Sequence, residues 1–140
     1  LVLESEVIGI GGDALDLAVS PDGRHVYTAD GAAGTVTAVD LIRGEAHPIA
    51  VGGVPSSLVV APDGLRAVVL DAAGRILLLD LVSGAVLAEQ PVAADPVGIA
   101  LDDTAGRIVV ASRGASDATG EIASFTLDES LSAAGSVMVG

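Results

Sequence analysis

A chain of 140 residues is long enough for one domain with its own core. Its net charge of −13 comes from 19 acidic residues against six basic ones, all Arg, and repels nucleic acid and anionic membrane surfaces. Tyr27 and Phe125 are the only aromatics, too few for a base- or sugar-stacking platform, and the absence of Cys excludes disulfides, thiol catalysis and zinc–thiolate centres.

In chain order, residues 1–10 read as an outer strand with nothing before it, and Glu4 and Glu6 suit the wet side of such an edge. Gly9 to Ala14 formally matches a G-x-G-x-x-A dinucleotide fingerprint, with Asp30 at the distance of a ribose contact. That chemistry needs a helix directly after the glycines, and Pro21 interrupts too soon. The glycines are better explained as a link between repeating units, so no cofactor is expected.

Strands are expected over residues 15–19, 25–29, 35–40 and 46–51. The turn Ser20-Pro21-Asp22-Gly23 separates the first pair: Pro presets φ, Asp bonds local backbone and Gly closes the turn. Ala61-Pro62-Asp63-Gly64 repeats this turn 41 residues later. Gly11-Gly12 recurs as Gly52-Gly53, Val39-Asp40-Leu41 as Leu79-Asp80-Leu81, and Pro55 as Pro96. In the second copy the expected strands are 58–60, 66–70, 75–80 and 86–91. A third copy is degraded: Leu101 to Gly106 replaces the Pro-Asp-Gly turn, and the last strand is expected near residues 135–139.

The units therefore span 11–51, 52–92 and 93–140, after the leading strand 1–10. A period just over 40 residues with four short strands per unit defines an all-β fold, a β-propeller segment of three antiparallel blades. The runs Ala67 to Leu70 and Ile76 to Leu79 do not alternate with polar residues, so both sheet faces should be covered, as when a blade lies between two others. Three blades do not close a ring of four to eight, so an excerpt of a longer protein is expected. Assembly of several copies is the other route, with neighbouring blades of the same or another chain as partners.

The aspartates of the repeated turns (Asp22, Asp63) and strand ends (Asp40, Asp80) recur at equivalent positions, which marks structural roles. Asp95, Asp102 and Asp103 read as a loose acidic group without calcium-loop spacing. His25 and His47 lie on or beside outer-strand positions, with no ligand partner expected beside them, so no metal site is expected. In an up-and-down meander the turns alternate ends. The links at 12–14, 53–55 and 95–96 then share one face with the loops at 30–34, 71–74 and 113–120, opposite the Pro-Asp-Gly turns. Any binding surface is expected on that first face, with Asp30, Asp71, Arg113 and Asp117 as its candidates; the enlarged loop 112–120 contributes the last two.

Several of these motifs together carry a family resemblance. Gly53-Val54-Pro55, Pro62-Asp63-Gly64, Val68 to Asp71 and Leu79-Asp80-Leu81, with Val26-Tyr27-Thr28-Ala29-Asp30 in the first unit, resemble the YVTN repeat family of β-propellers. The resemblance implies a non-enzymatic binding or scaffolding module, for a protein or small-molecule ligand, in a bacterial surface or secreted protein. It implies neither nucleic-acid binding nor membrane insertion. Related seven-bladed lactonases, similar to 6-phosphogluconolactonase, have a blade ending like residues 120–133. Their Pro-His motif is not met, since Ser56 and Val97 follow Pro55 and Pro96, so no catalytic residue carries over.

Overall fold

The computed structural model describes residues 7–10, 12–113, 119–128 and 131–139. The leading strand expected over residues 1–10 falls largely outside this set. The described residues form twelve strands in three sheets. The first sheet holds β1 (Ala14–Val19), β2 (His25–Asp30), β3 (Thr35–Asp40) and β4 (Glu45–Ala50). The second holds β5 (Pro55–Val60), β6 (Arg66–Asp71), β7 (Arg75–Asp80) and β8 (Val86–Pro91). The third holds β9 (Pro96–Asp102), β10 (Arg107–Arg113), β11 (Gly120–Leu127) and β12 (Leu131–Val139). Each sheet is a four-stranded antiparallel meander in sequence order, and together they form a β-propeller segment.

Turn chemistry sets the strand ends. Asp40 Oδ1 accepts from the amides of Ile42 and Arg43, Asp80 Oδ1 from Val82 and Ser83, and Asp102 Oδ1 from Thr104 and Ala105. Each carboxylate thereby closes the tight turn after its strand. Asp22 and Asp63 do the same for Arg24 and Leu65. These local bonds, led at Asp102 by a further one from the Thr104 hydroxyl at 2.6 Å, hold the Asp40, Asp80 and Asp102 carboxyls below the ordinary aspartate pKa.

The sheets stack face to face through two apolar cores. Tyr27, Ala29 and Val36 of the first sheet meet Leu58, Val69, Leu77 and Leu79 of the second. Val68, Leu70, Ile76 and Leu78, on the other face of the second sheet, meet Ile108, Val110, Ala123, Phe125 and Leu131 of the third. Consecutive residues of β6 and β7 thus look into different cores, and both strands are buried along nearly their whole length. Removing such an aliphatic side chain from water contributes about 1.5–3 kcal/mol, so the middle sheet holds the stack together. Among the described residues, Thr28 Oγ1 is a buried oxygen without a hydrogen-bond partner.

The first strand of every sheet carries an irregularity at the same place. Leu15, Ser56 and Val97 are each the extra residue where pairing skips between Ala14 and Asp16, Pro55 and Ser57, and Pro96 and Gly98. These bulges recur every 41 residues and re-aim the following side chain. In the first sheet that side chain is Asp16, whose Oδ2 accepts from Ser57 Oγ at 2.6 Å and from the Leu58 amide at 3.2 Å on the neighbouring sheet.

Candidate functional site

The face that carries the inter-sheet links is built as a row in which loops and strand ends bond to the links. Gly34 O, in the loop after β2, accepts from the amides of Val51 and Gly52 at 3.0 Å each. Gly74 O, in the loop after β6, accepts from the Val92 amide, and Asp95 O accepts from the Arg113 amide, both at 3.0 Å. The loops after β2 and β6, the end of β10 at Arg113 and the links between sheets therefore do lie at one end of the strands.

Two of the four expected residues of this face turn inward. Asp71 is fully buried, and its Oδ1 accepts from the Val54 amide at 3.1 Å and the Ala73 amide at 2.8 Å. Its Oδ2 takes Arg75 Nε at 2.7 Å, and Arg75 Nη1 reaches Glu89 at 3.0 Å. Burial pushes the Asp71 carboxyl up, but the bonds from Arg75, Ala73 and Val54 outweigh it and leave the pKa below its ordinary value. The same contact with Asp71 raises the pKa of Arg75. Asp30 is buried too and accepts from the Ala33 amide at 3.0 Å.

Glycine is required beside both carboxylates. A Cβ on Gly12 would lie 1.7 Å from Asp30 Oδ2, and one on Gly53 2.0 Å from Asp71 Oδ2. Both glycines also have positive φ, +86° and +63°. At Asp71 the carboxylate, the glycine and the Val54 amide make a clasp that fixes the link against its own loop; Asp30 packs on Gly12 in the same way and bonds within its loop. Arg113 points outward instead, with an exposed side chain 3.5 Å from Asp95 Oδ2. Asp117 lies outside the described residues.

Other expected groups are dispersed. Asp95 sits at the link end of β9 and Asp102 at its far end, so the loose acidic group is split across the length of a strand. His47 pairs with Glu45 Oε2 at 3.5 Å, a partner two residues back on the same strand face that the sequence already contained. His25 opens β2, an inner strand rather than an outer one, 3.8 Å from Asp40 Oδ2. Among the described residues no three His, Asp or Glu side chains are grouped to hold a metal ion. Arg75 and Asp16 were not singled out from the sequence. Arg75 stands where the other copies have Thr35 and Glu121, so no repeat flags it.

The meanders, their stacking and their bulges define a segment of a β-propeller. No protein-family model and no curated protein matches the chain. Solved structures of β-propeller-like proteins do. Kuenenia stuttgartiensis hydrazine synthase superposes with a TM-score of 0.78 at 18% identity, over 89% of this chain and 36% of that one. Saccharomyces cerevisiae Sqt1 gives 0.75 at 14% identity, over 95% and 37%. A putative 6-phosphogluconolactonase from Bacteroides uniformis gives 0.69 at 20% identity, over 91% and 41%. The chain thus spans well under half the length of these neighbours.

Proposed function

We propose that the chain is a non-enzymatic propeller module of the YVTN-repeat type that binds a protein or small ligand through its link face, in a bacterial surface or secreted protein. The supporting observation is the clasped face itself. Asp30 and Asp71 spend their carboxylates on loop amides and so hold the backbone of the face rigid, while Arg113 and Asp95 stand out from it. Rigid loops on a sheet scaffold keep the entropic cost of recognition low. Asp30 and Asp71 act by shaping this face, and Arg113 and Asp117 act by contact. The test is a pull-down from the extracellular fraction of a bacterial culture, using the chain and its Arg113→Glu, Asp117→Arg variant. A partner kept by the first and released by the second fits; equal retention moves the surface elsewhere.

The likeness to the putative 6-phosphogluconolactonase favours a second reading, a portion of a lactonase-like hydrolase whose catalytic residues belong to other blades. Hydrolysis of a sugar-phosphate lactone above the buffer rate by the protein containing this chain would select it.

A further inference from the structure

At the opposite end from the link face, the first two sheets leave a cleft of about 380 Å³. That volume falls within the range of small-molecule sites. Its rim is made by the two equivalent Pro-Asp-Gly turns, which bring Asp22 and Asp63 to one opening. Leu65, Leu81 and Val82 supply an apolar wall, and Leu65 and Val82 are largely exposed. Tyr27 forms part of the lining, its ring stacked on His25 with centroids 6.2 Å apart.

The charges at this rim are unequally satisfied. Asp63 gives Oδ1 to the Leu65 amide and Oδ2 to Arg66 Nε at 3.0 Å. Asp22 uses Oδ1 for Ser20 Oγ and the Arg24 amide, and no hydrogen bond within the described residues engages its Oδ2. The Tyr27 side chain is independent of these turns. The residue is only 6% exposed, yet its hydroxyl has no hydrogen-bond partner among the described residues. Burial pushes the phenol pKa up, and the negative charge of Asp22 adds to this. The ring is buried while the hydroxyl, unlike Thr28 Oγ1, is not sealed from solvent, so a group entering the cleft that Tyr27 lines can supply its partner.

We infer that this cleft binds a small organic ammonium ion with an apolar body. Asp22 Oδ2 takes the ammonium, the Tyr27 hydroxyl accepts a second N–H, and Leu65, Leu81 and Val82 cover the apolar part. A bare metal ion is disfavoured, because among the described residues no three His, Asp or Glu side chains are grouped to hold one. An anion meets two carboxylates and a chain of net charge −13.

The test uses the ¹⁵N-labelled chain titrated with phenethylammonium chloride and, separately, with phenylacetate, 2-phenylethanol and calcium chloride. Saturable amide shifts confined to residues 20–27, 63–65 and 81–82 are expected with phenethylammonium, at a dissociation constant of about 1 mM. The neutral alcohol should bind roughly tenfold more weakly and phenylacetate not at all. Tyr27→Phe keeps the ring in its core and should weaken binding about three- to tenfold; Asp22→Asn keeps the turn acceptor and should weaken it about tenfold. The site is overturned by absent or unsaturable shifts, by equal binding of phenylacetate, by unchanged affinity in Tyr27→Phe, or by calcium displacing the amine from the same amides.

Discussion

The second and third sheets share a meander, a bulge and a period, yet they are fastened differently. In the second, the Asp71 carboxylate gathers the Val54 and Ala73 amides and Arg75. In the third, Ser112 occupies the position of Asp71, pairing with Pro96 as Asp71 pairs with Pro55. There the link carries Asp95 at φ 54°, the one described non-glycine residue with positive φ, held to exposed Arg113 by a 3.5 Å ion pair. Burial differs in parallel. β6 and β7 are buried on both faces, whereas β10 alternates although its sequence RIVVASR is nearly as apolar at its centre. Having a packed sheet on one side or on two, rather than hydropathy alone, decides how many of a strand's faces leave water. A buried carboxylate with three donors also fixes a link more firmly than a solvent-exposed ion pair.

The largest effect that probes this contrast is in the middle core. Leu78→Ala should lower the stability of the fold by about 2–5 kcal/mol, while Ile122→Ala on the third sheet should cost less than about 1 kcal/mol; urea unfolding of both variants measures the difference. Gly53→Ala comes next. Its Cβ would collide with Asp71 Oδ2 at positive φ, at a cost of about 2–4 kcal/mol. The equivalent Ala94→Gly should change stability by no more than about 1 kcal/mol. Asp71→Ala strips three donors of their acceptor and should cost about 2–3 kcal/mol, against roughly 1 kcal/mol or less for Ser112→Ala. If the two losses are equal, the clasp is no stronger than its replacement.

Acid should reveal the same asymmetry. The Asp71 pKa is lowered on folding from the ordinary 3.8, so its contribution is fully present above that value and is lost as pH falls through the folded value. Stability of the wild-type chain should therefore drop below about pH 4, and in Asp71→Asn the drop should be shallower. The smallest effect is at Asp95. Asp95→Gly relieves the left-handed conformation, gives up only an exposed ion pair, and should stabilise by up to about 1 kcal/mol.

Much of this architecture was legible because turn residues carry their geometry with them. The Pro-Asp-Gly turns, Asp40 and Asp80 mark strand ends, and the observed strands 25–30, 35–40, 66–71, 75–80 and 86–91 match the expected ones to within a residue. The first strand of the second sheet begins at Pro55, three residues earlier than expected, because the residue before the bulge still pairs with Asp71. The bulges were invisible, since Leu15, Ser56 and Val97 are three different residue types. β12 begins at Leu131 rather than near Gly135. Leu131 is anchored in the second core, and Gly135, at φ 156°, sits beside an irregularity in the strand instead of starting it. Around the candidate residues, the sequence placed the links and loops at one end of the strands but not the direction of their carboxylates. A charge on a loop reads alike whether it meets solvent or its own backbone amides, and only the glycine opposite Asp30 and Asp71 hinted at the second.

The clasp joins residues of a single repeat: Gly12 with Asp30, and Val54 with Asp71. In the first two units the carboxylate and the glycine beside it therefore come from the same repeat, whereas the third has Ser112 in place of Asp71. Duplicating either of the first two units in the gene would therefore copy a carboxylate together with the glycine that makes room for it, so the added repeat would arrive with that contact already matched.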